Sequence, residues 1–243
     1  MPEGNHGTVN LDTCYGSLSF TRPFPGSRFE IPAANDRPIV LHIDACWQPR
    51  LSGPTLSRQP LSDTGLGANR TRESSNARRL LRGLLDKVAP GGARLEQDVP
   101  VQTGWPQGVS TSITHCLGLT LVVAANDSRV GAVGIDMEKK ARFSHNAVRK
   151  FLSANEYRNH QQLDPALSFC AKESIFKALP AERQKGIDFR SIDIALNPAN
   201  GTFSALSTLE SGNGFAHPRY SGYYFDCGDF WFCLCHRVRA AED

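Results

Sequence analysis

Long hydrophobic runs are missing from this sequence. The longest nearly apolar stretch, Leu117 to Ala125, falls far below the roughly 20 residues that a membrane-crossing helix needs, so no stable membrane insertion is expected. The opening MPEGNHGTVNLDTCYG carries neither a basic stretch nor an apolar one, so no secretory leader is read and the expected location is the cytoplasm. Charge of one sign is also scarce: 27 Lys and Arg against 24 Asp and Glu leave +3, too little to require a nucleic-acid partner. The seven cysteines are odd in number and include no C-x-x-C pair, which argues against a disulfide framework and for buried, reduced thiols. What is present is the composition of an ordinary globular protein, with 40% apolar residues, 21 glycines and 21% charged residues. At 243 residues, against about 150 per domain, the chain holds one large domain or two small ones, each able to bury a core.

Residues up to about 35 read as irregular chain with aromatic anchors, and Ile39 to Trp47 alternates as a strand does. Gln48 to Ala68 reads as a Pro/Gly/Ser loop. Asn69 to Val88 has Leu80, Leu81, Leu84, Leu85 and Val88 at helical spacing, stopped by Pro90-Gly91-Gly92. A loop is expected from Arg94 to Ser110, then strands over Leu117–Ala125 and Val130–Met137 around the turn-rich Asn126-Asp127-Ser128-Arg129. Helix is expected from Asn146 to His160 with a break at Ser153, and from Pro165 to Leu179, where Pro180 ends it. Strands close the chain at Ser191–Leu196 and Asp229–Val238. Ile43-Asp44 precedes a basic helix in the first half and Ile135-Asp136 precedes the Lys172 helix in the second, a hint of internal duplication.

One segment concentrates chemistry. Asp136 and Glu138 stand two apart on an expected strand, so both carboxylates project from one face as hard oxygen ligands suited to magnesium. Gly134 beside them would allow close approach by a ligand. Downstream, Phe169, Glu173 and Lys177 follow at i, i+4 and i+8 along one helical stripe, with Lys172 next to it. His115, in Ser112-Ile113-Thr114-His115, stands ahead of an apolar strand and could donate to an anion. Each feature has a plainer reading: a solvated strand end, a surface Glu–Lys pair, a structural histidine.

Taken together, VGIDME followed by FCAKESIFKAL resembles the two signature motifs of the 4′-phosphopantetheinyl transferases, with every fixed position filled. Four further blocks resemble the enterobactin-synthetase and surfactin-type branch. These are Arg70-x-x-Glu73 with Arg78, Trp105-Pro106-x-Gly108, Ser112-Ile113-Thr114-His115, and Phe151-Leu152-Ser153-x-x-Glu156. The chain departs from the pattern in a short Asp136 to Phe169 spacer, in Thr111 for a glycine, and in Asn76-Ala77 for Ala-Gly before Arg78.

The resemblance implies an α+β, pseudo-two-fold monomer of two similar subdomains, 1–128 and 129–243, with coenzyme A and Mg2+ (or Mn2+) in the cleft between them. It implies transfer of the phosphopantetheine arm to a serine of an apo acyl, peptidyl or aryl carrier protein, as in fatty-acid, polyketide, nonribosomal-peptide or siderophore synthesis, with release of 3′,5′-ADP. By the same resemblance Asp136, Glu138 and Glu173 would bind the metal. Lys172, Lys177 and His115 would neutralise phosphates, Arg78 and Arg70 would grip the adenosine end, and Ser112 and Thr114 would line the coenzyme site. Glu173 is the preferred base for the serine proton, with Glu156 in reserve.

Three other classes share some of these features. A divalent-metal phosphohydrolase or nuclease would use the same carboxylates without needing the Lys-Glu helix, and a coenzyme A-binding module without transfer would have lost an acid or a lysine. Nucleic-acid binding would rest on Arg70, Arg72, Arg78, Arg79 and Arg82 alone. At the C-terminus Cys227, Cys233, Cys235 and His236 lack paired zinc spacing and read as buried strand residues.

Overall fold

The computed structural model describes residues 8–13, 16–21, 27–31, 39–47, 63–90, 108–140, 143–158, 164–205 and 220–239. Strands β1 (Thr8–Thr13) and β2 (Gly16–Thr21) form an antiparallel hairpin. A four-stranded antiparallel sheet follows in the order β3-β4-β6-β5, built from β3 (Ser27–Ile31), β4 (Ile39–Trp47), β5 (Val109–Cys116) and β6 (Leu119–Asn126). Helix α1 (Asp63–Val88) packs on it through Leu81, Leu84 and Leu85. The chain then enters β7 (Val130–Lys139) and passes through α2 (His145–Val148), α3 (Ala154–Arg158), α4 (Pro165–Ala178) and α5 (Ala181–Gln184). It ends in β8 (Ile194–Asn197), β9 (Thr202–Ala205), β10 (Tyr220–Cys227) and β11 (Phe230–Val238), which join β7 in the sheet order β7-β11-β10-β9-β8.

The fold is thus α+β with two sheets, and strand alternation explains how they stack. On β6, Leu119, Leu121, Val123 and Ala125 face the second sheet, where they meet Val133, Ile135, Met137, Phe232 and Leu234, while Val122 and Ala124 face α1. On β11, Cys233 and Cys235 turn the other way, against Cys170, Ala171 and Ile175 of α4. Each sheet is therefore covered on both faces, giving helix, sheet, sheet, helix. Complete burial of Leu121, Ile135 and Phe232 stabilises this stack by about 1.5–3 kcal/mol per side chain. The expected likeness of the two halves has a counterpart here: Asp44 of β4 lies 3.7 Å from Lys87 of α1, and Asp136 of β7 lies 2.7 Å from Lys177 of α4.

Several expectations change. The N-terminal segment read as irregular contains β1, β2 and β3, and β5 begins at Val109, inside the expected loop, and continues through residues to which no element was assigned. Leu117 and Gly118, expected inside a strand, form the β5–β6 turn with φ of 47° and 88°, the left-handed pair that a tight hairpin demands. Helix α1 begins at Asp63, within the expected loop; Gly65 and Gly67 lower the helical propensity of its first turns, which is why they read as loop. Strands β9 and β10 were not anticipated. The expected break at Ser153 is present and is a capping box: Ser153 Oγ accepts from the Glu156 N–H at 3.1 Å, and Glu156 Oε2 accepts from the Ser153 N–H at 2.7 Å.

Candidate active site

The two sheets meet where β5 runs beside β7, and the buried residues of β5 at this seam are polar. Ser112 Oγ accepts from the Ile135 N–H at 3.0 Å, and Thr114 Oγ1 donates to Asp136 Oδ1 at 2.9 Å. Lys177, near the end of α4, donates to the same Oδ1 at 2.7 Å and to the Ile135 carbonyl at 3.1 Å. Asp136 is 5% exposed, and its second oxygen, Oδ2, is buried with no hydrogen-bond partner. A buried carboxylate oxygen without a donor is costly unless something positive supplies it. Glu138, two residues on, is also buried.

Helix α4 lies so close to β7 that a Cβ on Gly134 would sit 1.9 Å from the Ser174 carbonyl oxygen. Gly134 therefore admits the helix backbone, not a ligand as its position had suggested. This approach brings Lys177 within reach of Asp136. Glu173, one turn before Lys177, is half-buried and opens onto a hollow of about 600 Å³ shared with Lys150, Phe176, Gln184 and Phe189.

Phe176 and Gln184 also wall a second, larger cleft of about 730 Å³. Its lining draws Arg78 from α1, Ser112 and His115 from β5, Gly131 from β7, Lys177 from α4 and Arg237 from β11. Side chains from both sheets and both long helices thus converge on one basic cleft, and His115, exposed at its edge, holds Nδ1 3.0 Å from Thr120 Oγ1. Of the expected coenzyme-site residues, Arg78, Ser112, His115 and Lys177 line this space, while Thr114 lies behind it on Asp136. Arg70 lies on α1 with its side chain outside the described residues, as do Trp105 and Pro106.

Lys172 is not in the cleft. It is fully buried, and its ammonium donates to the Phe151 carbonyl at 2.7 Å, to the Phe189 carbonyl at 3.0 Å and to Glu156 Oε2. All three N–H donors are occupied, so the structure gives Lys172 a buried ion pair where a phosphate contact was expected. Burial pulls its pKa below the ordinary lysine value, and the Glu156 carboxylate opposes that pull. Glu156, 2% exposed, is correspondingly closed to a partner's hydroxyl. On the adjoining segment the apolar residues are core: Val148 and Phe151 are buried, and the Phe143 ring packs at a tilt against Phe151 and Phe169. Arg149 and Lys150 remain exposed, and the Arg149 Nε–H donates to the Tyr157 hydroxyl at 2.9 Å, while Arg142 is outside the described residues.

The C-terminal cysteines are buried strand residues, as read from their spacing. Cys170, Cys227, Cys233 and Cys235 are free thiols, pushed up in pKa chiefly by burial, Cys227 to about 12. Among the described residues no three His, Cys, Asp or Glu side chains converge to hold a metal ion by themselves. Arg237 was missed by sequence reasoning because nothing in its neighbourhood marks it; the sheet register, which sets it opposite Ala132, carries it to the cleft.

The segment that supplies α4 and most of β7 and β11 matches a family of known proteins. Residues 132–235 match the 4′-phosphopantetheinyl transferase superfamily. The chain is 33% identical over 109 residues, 42% of its own length and 44% of the relative's, to the 4′-phosphopantetheinyl transferase Svp of Streptomyces mobaraensis. It is 30% identical over 130 residues, 50% of its length and 53% of the relative's, to the 4′-phosphopantetheinyl transferase Npt of Nocardia iowensis. The chain spans about half the length of these curated relatives. The superfamily segment contains Asp136, Glu138, Glu173 and Lys177, whereas Arg78, Ser112 and His115 reach the cleft from outside it. No helix among the described residues is long and apolar enough to cross a membrane.

Proposed function

We propose that this protein transfers the 4′-phosphopantetheine arm of coenzyme A to a serine hydroxyl of an apo carrier protein and releases 3′,5′-ADP. In this reading it belongs to the enterobactin-synthetase and surfactin-type branch and works as a cytoplasmic monomer, with 1–128 and 129–243 as its subdomains. The observation that carries the reading is the seam itself: Asp136, buried with Lys177 and Thr114 on one oxygen and no hydrogen-bond partner on the other, is tied through Lys177 to a cleft that Arg78 and His115 also line.

The donor set suits magnesium in type: of the three carboxylates expected to hold it, Asp136 and Glu138 would do so from β7, while Glu173 opens onto the neighbouring hollow. Magnesium takes one or two carboxylates and completes its shell with substrate phosphates and water. When bound, the ion offsets the charge of the diphosphate. Lys177 and His115 add positive charge where the leaving oxygens gain electrons, and Arg78 holds the adenosine end by charge-assisted hydrogen bonds. The serine oxygen attacks the β-phosphorus, the bond from that phosphorus to the bridging oxygen breaks, and 3′,5′-ADP leaves with the electron pair. Glu173, open to the neighbouring hollow, takes the serine proton. Lys172 and Glu156 act as a buried brace beneath this site.

Incubation with coenzyme A, magnesium and a panel of apo carriers, followed by intact-mass analysis, tests the reading. Addition of one phosphopantetheine arm per carrier is expected. Hydrolysis of coenzyme A without any carrier product would replace it with a phosphohydrolase.

A further inference from the structure

Arg237 is the basic residue of the cleft to which the transferase reading gives no task. It leaves the end of β11 opposite Ala132, four residues along β7 from Asp136, which at about 3.3 Å per residue puts its strand position ~13 Å from the carboxylate site. Its guanidinium passes directly over Gly131, where a Cβ would come within 2.9 Å of Nε, so the path exists because residue 131 has no side chain. The Tyr220 ring lies under the fork, 6.0 Å from it. Nε is enclosed and has no hydrogen-bond partner, and among the described residues no carboxylate pairs with Arg237. The other arginines with short described ion pairs, Arg129 and Arg190, each have an aspartate two residues away. Arg237 is instead a guanidinium with an unfilled donor at the wall of a basic cleft.

Such a group calls for an anion. Lys177 already stands at Asp136, where the diphosphate belongs in the reading above, and Arg237 lines the same cleft from a strand position four residues away along β7, with Arg78 contributed by α1. Coenzyme A carries one further anionic group, the 3′-phosphate, held away from the diphosphate by the ribose. We propose that Arg237 is a specificity residue that takes the 3′-phosphate of coenzyme A, with Gly131 keeping its path open. This rests on the transferase reading, since that reading supplies the ligand.

The test is calorimetric titration of the full chain, without metal or carrier, against coenzyme A and dephospho-coenzyme A. Wild type should prefer coenzyme A. Arg237→Gln should lose about tenfold or more of that affinity, the scale of a charge-assisted bond, while its affinity for dephospho-coenzyme A stays within about twofold; Arg237→Lys should retain part of the preference. Gly131→Ala keeps the charge and displaces the guanidinium, so it should shift affinity in the same direction, and it carries the test if Arg237→Gln fails to fold. Unchanged coenzyme A binding in both variants overturns the proposal, as does an equal loss for the two ligands, which would put Arg237 on another part of the molecule. Wild type that binds coenzyme A without preferring it over the dephospho form overturns the proposal alone. Wild type that binds neither ligand brings down the transferase reading and the proposal with it.

Discussion

Replacing Lys172 with methionine separates a buried brace from a phosphate ligand. Methionine fills much of the lysine stem but has no N–H, so the substitution leaves the Phe151 and Phe189 carbonyls and the Glu156 carboxylate facing a sulfur. Both partners of the pair are almost fully buried, at 0% and 2% exposure. Breaking a buried pair by removing one member costs about 3–5 kcal/mol, because a charge is left without its counterpart. That is a large share of the roughly 5–15 kcal/mol that holds a typical protein folded. At about 2–4 °C per kcal/mol for a chain of this size, melting should fall by about 6–20 °C. Removing both charges with Lys172→Met and Glu156→Leu should cost clearly less than the sum of the two single changes, since no lone charge remains. Thermal melts and urea titrations of the four proteins measure the cycle. A Lys172→Met protein that melts within about 2 °C of wild type would refute the brace. If that protein also lost transfer while keeping its fold, the ammonium would belong at the phosphates after all.

Glu173→Ala should abolish transfer to an apo carrier with little change in melting, and wild-type transfer should stop in EDTA; undiminished activity in the chelator would remove the magnesium mechanism. Reversing Arg149 and Lys150 to glutamate should raise KM for an acidic carrier and leave that for coenzyme A nearly unchanged, with added salt weakening wild type in the same direction. Equal carrier kinetics in both proteins at low salt would rule that surface out. His236 gives a pH signature: burial pulls its pKa from 6.5 to about 4. The unfolded chain therefore binds the extra proton first, and stability should drop by about 3 kcal/mol as pH falls from about 6.5 to 4. Urea titrations across that range should show this loss in wild type and much less of it in His236→Phe.

Much of this molecule is written locally. The alternation of β4 and β7, the leucine spacing of α1 and the proline-bounded α4 each arise within a few residues, because periodicity depends only on which face of an element is wet. The carboxylates of Asp136 and Glu138 could be placed on one strand face for the same reason. Strand β5 escaped because the inward positions that would mark it are Ser112 and Thr114, polar residues that serve Ile135 and Asp136. Here the chemistry of the site overrides the hydrophobic pattern from which strands are read. Lys172 and Glu173 show the limit more sharply. They are adjacent in the chain, yet about 100° of helical rotation sends one into the core onto Glu156 and the other toward a hollow. Gly134 likewise admits a helix backbone forty residues downstream, and Arg237 reaches the cleft only through its pairing with β7. Local periodicity settles which residues share a face; which faces meet, and so which charges are buried, paired or left open to a ligand, depends on contacts between distant segments that form only when the two sheets close together.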